Sequence, residues 1–204
     1  MTTQCFLLTT SYRDLDGRFE IVLHAATAQG IPLAASITDF RPLFFVPRAV
    51  PAEQTRGCME RKPLPLRAMD GTEVDCVYYA TCGAARDAAA RMREAGTRVY
   101  ESDVAPVSRY LMERGVRGGF VCEGKVRKRG RSLMVHNPRI RGAHTDVPLR
   151  VLSVDIETNA QTGEVYSIAC TGCAEIAFVC AELTARPHLR SFPDERTLLE
   201  RFVK

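Results

Sequence analysis

A chain of 204 residues, 46% of them hydrophobic, has the length for one large domain or two small ones and enough apolar residues to fill a core. It has no run of about 18 apolar residues and no N-terminal basic region followed by an apolar stretch and a cleavage site, which argues against a membrane-spanning helix and against export. The net charge of +4 is small but concentrated in one window.

The first half reads as β-rich. Phe6 to Thr10, Phe19 to Ala25, Leu33 to Ile37 and Leu43 to Val46 are short apolar runs punctuated by Asp14-Leu15-Asp16-Gly17, Gln29-Gly30 and Arg41-Pro42, a pattern that predicts an antiparallel meander. His24 lies inside one of these runs with no second histidine or acid at ligand spacing, so it is read as a hydrogen-bonded core or edge histidine. Phe44 and Phe45 are read as core residues. The rhythm then changes: Val74 to Ala80 predicts a strand, Ala84 to Glu94 an Ala- and Arg-rich helix ending by Gly96, and Arg98 to Tyr100 a further strand. Such a β-α-β unit is similar to RNA-recognition folds. The run Arg117-Gly118-Gly119-Phe120-Val121-Cys122 approaches their aromatic strand signature but lacks its first aromatic and has Glu123 near the second, which argues against base stacking there. A helix is expected after Ser102 or Asp103 as its cap, with Pro106 in the first turn and Gly115 at the end.

Between Lys125 and Arg150, the eight cations Lys125, Arg127, Lys128, Arg129, Arg131, Arg139, Arg141 and Arg150 stand against Asp146 alone, a net +7 that leaves the rest of the chain at −3. Gly130 marks the turn of a basic hairpin. Lysine and arginine clusters attract phosphodiester backbones by counterion release without reading sequence, which suits single-stranded DNA. The same charges also suit a solvated turn that keeps a protein soluble. The acidic strand that follows favours DNA contact, through Lys125, Arg127, Lys128, Arg129 and Arg131.

That strand is Arg150-Val151-Leu152-Ser153-Val154-Asp155-Ile156-Glu157-Thr158. Alternation puts Val151, Ser153, Asp155 and Glu157 on one face and Leu152, Val154 and Ile156 on the other. Two carboxylates at a strand end offer oxygen ligands to hard divalent cations such as Mg²⁺ or Mn²⁺, although acids also end strands simply to reach solvent. A polar turn from Thr158 to Glu164 and two strand-like runs, Val165 to Cys170 and Glu175 to Cys180, predict a three-stranded meander. Asp194 stands at a helix N-cap position before Leu198, Leu199, Phe202 and Val203 at helical spacing. The eight cysteines (Cys5, Cys58, Cys76, Cys82, Cys122, Cys170, Cys173 and Cys180) lie mostly in apolar runs, as expected of reduced thiols in a cytoplasmic protein, and Cys170-x-x-Cys173 is read as a strand-end coincidence.

The Asp155-Ile156-Glu157-Thr158 strand, the run Gly163-Glu164-Val165-Tyr166-Ser167-Ile168-Ala169, the third strand and the segment from Asp194 to Phe202 together resemble the opening of the 3′→5′ proofreading exonuclease domain of family B DNA polymerases. Tyr100 to Arg114 resembles the Y-E-x-D-V-x-P-x-x-R-Y-L-M-E-R run of bacterial, DNA polymerase II-like members, and Phe6 to Thr9, Tyr12 to Asp14 and Phe40 to Val46 fit as well. The motifs occur in the family's order and cover essentially the whole chain. The resemblance implies an α+β chain. Residues 1–146 would form a β-rich N-terminal domain with an RNA-recognition-like β-α-β part, and 147–204 the first strands and helix of an incomplete ribonuclease H-like exonuclease domain.

The mechanism that the resemblance implies is metal-assisted hydrolysis. Asp155 would bind or bridge two divalent ions, Mg²⁺ or Mn²⁺, and Glu157 would bind one and orient the attacking water. The family draws further carboxylates from a later N-x-x-x-F/Y-D segment and a still later Y-x-x-x-D segment, neither of which occurs here, nor do the palm, fingers and thumb. The implied parent polymerises and proofreads on DNA, with a single-stranded 3′ end and a primer-template as its partners; the fragment itself is expected to be inactive and to self-associate through an exposed strand edge. A free-standing nucleic-acid-binding module is the alternative. A self-sufficient exonuclease of another family would need an additional Asp/His pair, for which only His188 and Asp194 are nearby. Archaeal members sense template uracil in an N-terminal pocket; Leu43 stands where an aromatic would follow Arg41-Pro42, so that function is not carried over.

Overall fold

The computed structural model describes residues 2–184 and 186–204. It divides into two compact units, Met1–Pro148 and Leu149–Lys204. Among the described residues no helix is long and apolar enough to cross a membrane.

In the first unit, β1 (Thr2–Leu15), β2 (Arg18–Thr27) and β3 (Pro32–Ile37) form an antiparallel meander. β2 shows why: Phe19, Ile21, Leu23 and Ala25 alternate into the core while His24 points to solvent. His24 is therefore neither a core nor an edge histidine, because its strand is interior and the side chain takes the outer face. The expected fourth strand, β4 (Leu43–Pro47), leaves this sheet. The Arg41-Pro42 step carries the chain from the core that buries Phe40 to a second core that buries Phe44 and Val46.

The chain returns to the first sheet after α2 (Pro106–Glu113), adding β7 (Gly119–Glu123), β8 (Val126–Arg129), β9 (Ser132–His136) and β10 (Arg139–Gly142). The sheet runs β10-β7-β1-β2-β3-β9-β8, with β3 and β9 parallel. Val107 and Tyr110 of α2 join its core. Neither Ser102 nor Asp103 caps α2: its N-cap is Ala105, without a side-chain bond. Pro106 leaves one fewer orphan N–H to satisfy, and the Ser102 hydroxyl is engaged by the Arg93 guanidinium. Gly115, at φ +64°, closes the helix as expected.

The second sheet of this unit runs β4-β6-β5, with β5 (Glu60–Arg67) and β6 (Glu73–Tyr78) as a hairpin. The strand expected at Arg98 to Tyr100 is a single bridge, Tyr100 to Phe45, on the free edge of β4. α1 (Cys82–Glu94) lays Ala85, Ala88, Ala89 and Met92 on Phe44, Val46, Val77 and Tyr79. The three alanines, at i, i+3 and i+4, allow close approach to the sheet, and Met92 at i+7 continues the same face. Thr81 caps α1, and the Asp14 carboxylate accepts from the Cys82 and Gly83 N–H groups at 2.9 Å each, tying the β1–β2 ribbon to the helix start. Arg117 to Cys122 contributes β7 to the first sheet rather than to this β-α-β part.

The second unit is the expected meander, β11 (Leu152–Thr158), β12 (Val165–Gly172) and β13 (Ile176–Val179), with β14 (Leu189–Ser191) added parallel to β13. α3 (Glu195–Phe202) begins at the expected cap, where Asp194 accepts from the Thr197 N–H at 2.8 Å. Its Leu198 is fully buried with Ile168, Cys170 and Phe178. All eight cysteines are free; Cys170 is buried and Cys173 exposed.

Candidate functional site

β11 is the edge of its sheet, and all seven of its residues are exposed. Asp155 lies opposite Ala169 and Glu157 opposite Ser167, with Ser153 opposite Thr171. The two carboxylates therefore share a face with small or polar neighbours, about 7 Å apart along the strand. The register shifts after Glu157, so that Thr158 pairs with Val165 and Tyr166 is the extra residue. The other face carries Ile168 and Cys170, on which α3 packs; that packing reaches β12 and β13 but leaves Val154 43% and Ile156 51% exposed. The Glu195 carboxylate of α3 accepts from the Val165 N–H at 2.9 Å and so fixes the start of β12 that faces the acidic end of β11. Sequence reasoning passed over Glu195 because an acid in a first helical turn is ordinary.

Neither Asp155 nor Glu157 takes part in an ion pair or side-chain hydrogen bond among the described residues, so their oxygens are open to a cation. They are two ligands rather than a complete site: among the described residues no group of three or more His, Cys, Asp and Glu side chains stands close enough to hold a metal ion. His188 and Asp194 do not extend the pair. His188 Nδ1 lies 3.0 Å from the Glu175 carbonyl oxygen, and Asp194 serves the helix cap, where the Thr197 backbone N–H holds its carboxyl below the usual carboxylate range.

In the first unit the basic hairpin forms as expected. β8 is an edge strand paired to β9, with Arg127 opposite Met134, Lys128 opposite Leu133 and Arg129 opposite Ser132. Gly130, at φ +58°, supplies the positive φ of its tight turn beside Arg131. Val126 packs on the first core and anchors the hairpin. Lys125, Arg127, Lys128, Arg129 and Arg131 are all exposed and, among the described residues, unpaired. Arg139 and Arg141 on β10 lie at the opposite edge of the sheet, so the linear window is two separate surfaces. Arg141 stands 4.0 Å from Glu123. Arg150, next to the first residue of the second unit, is exposed.

No protein-family model matches the chain. It is 33% identical over 181 residues to DNA polymerase II of Escherichia coli (strain K12), an alignment covering 83% of this chain and 22% of that protein. The chain thus spans about a fifth of the length of the curated relative it matches. The fold is similar to the family B DNA polymerase of the hyperthermophilic archaeon Pyrobaculum calidifontis, with a TM-score of 0.73 and 20% identity over 98% of this chain and 28% of that one. The sequence likeness and the fold likeness converge: the chain is similar in sequence to part of a DNA polymerase II and in fold to part of a family B DNA polymerase.

Proposed function

We propose that the chain serves a DNA-directed DNA polymerase of replication or repair as its N-terminal domain and the first part of its 3′→5′ proofreading site. The observation that carries this reading is the pair of unpartnered carboxylates, Asp155 and Glu157, on one uncovered face of β11. Their hard, anionic oxygens suit Mg²⁺ or Mn²⁺. A divalent ion held there supplies Lewis-acid stabilisation of a phosphodiester and lowers the pKa of water. Asp155 and Glu157 contribute two of the ligands, and the β12 side chains Ser167 and Ala169 leave room above them. The unpaired cations of the β8–β9 hairpin hold single-stranded DNA by its phosphates. β6, α1 and the bridge at Tyr100 follow one another in the order expected of an RNA-recognition-like β-α-β part, which supports that reading of the run from Val74 to Tyr100, and β11 with its meander supports a ribonuclease H-like reading of the second unit.

The test is a Mn²⁺ titration of residues 1–204 followed by NMR line broadening, beside the Asp155→Ala variant and a single-stranded DNA degradation assay in the same buffer. Weak broadening centred on β11, lost in the variant, with no degradation is the expected result. Metal-dependent degradation would show a complete site within these residues and overturn the two-ligand reading; undiminished broadening in the variant would move the metal elsewhere.

A further inference from the structure

Strand pairing places cations of the basic hairpin on the same face of the first sheet as His24. Val126 packs on the core, so Arg127 and Arg129 take the other face of β8. Arg127 lies opposite Met134, Met134 beside Ala34, and Ala34 opposite His24, which makes one row across β8, β9, β3 and β2. Leu23, Ala35 and Val135, sequence neighbours of that row, are buried in the core, and this fixes the row on the outer face. Three strand spacings carry it about 14 Å from Arg127 to His24.

Ala34 is a low point between Met134 and His24, which stand two strand spacings apart, about 10 Å. His24 is exposed and, among the described residues, without a partner. The next row holds Val22, Ser36 and His136, and His136 Nδ1 lies 3.3 Å from the Ser36 hydroxyl. Among the described residues of β1, β2, β3, β8 and β9, this face carries Arg13, Arg18, Arg127 and Arg129 against Glu20 alone. Glu20 is already engaged by Arg13 and by the Ser36 hydroxyl, each at 2.6 Å. The face thus offers unpaired cations at one edge, no free carboxylate, and an exposed imidazole beside a shallow gap. The charge selects a polyanion, and the ring beside the gap adds a place for a flat base.

We infer that single-stranded DNA held at the hairpin continues over this face, with one base seated above Ala34, stacked on the His24 ring and touching the Met134 thioether, and with its phosphates toward Arg127 and Arg129. This rests on the phosphate-binding role proposed above for the hairpin and adds a base contact to it. The probes are fluorescein-labelled octathymidylate and a strand of the same length with tetrahydrofuran at every sugar and no bases. Each is titrated into residues 1–204 at low salt and followed by anisotropy and amide chemical shifts. Octathymidylate should shift the amides of His24, Ala34 and Ser36. His24→Ala should lower affinity at least fivefold more for octathymidylate than for the abasic strand, and His24→Phe, which keeps a ring, should restore it. Arg127→Ala should weaken both strands alike. An equal loss on both strands in His24→Ala, no loss on either, or shifts confined to residues 125–131 would overturn the base contact and leave the hairpin's phosphate binding standing. Failure of both strands to bind the parent chain would remove that phosphate binding as well.

Discussion

The two exposed strand edges, β8 and β11, are built in opposite ways. β8 carries Arg127, Lys128 and Arg129 in succession, so another strand approaching it meets concentrated positive charge, and Val126 ties it to a large core. β11 carries Leu152, Val154 and Ile156, each more than two-fifths exposed, at an edge without charge on that face. A charged edge repels a second strand, whereas an apolar one invites it. The cores behind them differ in the same sense: that of the first sheet draws on β1, β2, β3, β7, β9, β10 and α2, while the second unit closes on Ile168, Cys170, Phe178 and Leu198.

The contrast breaks most sharply at Leu198, the one fully buried anchor of α3. Leu198→Ala should cost about 3 kcal/mol, which in so small a unit is enough to unfold residues 149–204 while leaving the first unit folded. Urea denaturation followed by resolved amide signals from each unit checks this; a common transition for both units would show that they do not melt separately. At β11 itself, antiparallel pairing of two copies about Val154 sets Leu152 opposite Ile156 and Ser153 opposite Asp155, an arrangement without a like-charge clash. We therefore expect concentration-dependent dimers by light scattering and weak amide protection along the free side of β11. Val154→Lys should give a monomer. A monomeric parent chain with uniform protection from Val151 to Ile156 would remove the edge argument.

Much of this was legible from periodicity and caps. The alternation of Phe19, Ile21, Leu23 and Ala25 announces β2, Asp194 announces α3, and Gly130 announces the basic hairpin. The D-x-E strand could be read because its two acids sit two residues apart, so that one strand suffices to bring them together. What was not legible depends on partners distant in sequence. The departure of β4 to a second sheet is decided by which core takes Phe44 and Val46. The failure of Ser102 to cap α2 is decided by Arg93.

Smaller effects should distinguish the firmly braced second sheet of the first unit. Asp75 is buried there between Arg48 and Arg61, each at 2.9 Å. Burial is the largest single influence on its carboxyl and opposes ionisation, but the hydrogen bonds and charges of the two arginines together outweigh it and hold the carboxyl below its ordinary range. A lowered folded value stabilises the fold above the unfolded value, near pH 4, and that contribution is lost as pH falls through the lowered one. Asp75→Asn should therefore cost roughly 2 kcal/mol at pH 7, discounted for the partly exposed Arg48, and should flatten the loss of stability on acidification. Equal acid sensitivity in parent and variant would assign that sensitivity to other carboxylates.

The same sheet carries one imperfection. Tyr79 is 1% exposed and stacks on Phe44 with ring centres 5.4 Å apart, but its hydroxyl is buried with no hydrogen-bond partner among the described residues. Burial, more than the neighbouring Cys58, pushes that hydroxyl's pKa up to about 12. The aromatic contact needs only the ring, so Tyr79→Phe retains the stacking and removes the unpaired oxygen, with an expected gain of about 1 kcal/mol in the first unit. Denaturant midpoints read on the first unit's signals measure it, with the second unit's midpoint unchanged. A loss of stability would mean that the hydroxyl is satisfied by a bound water, and that the second sheet has no strain to relieve.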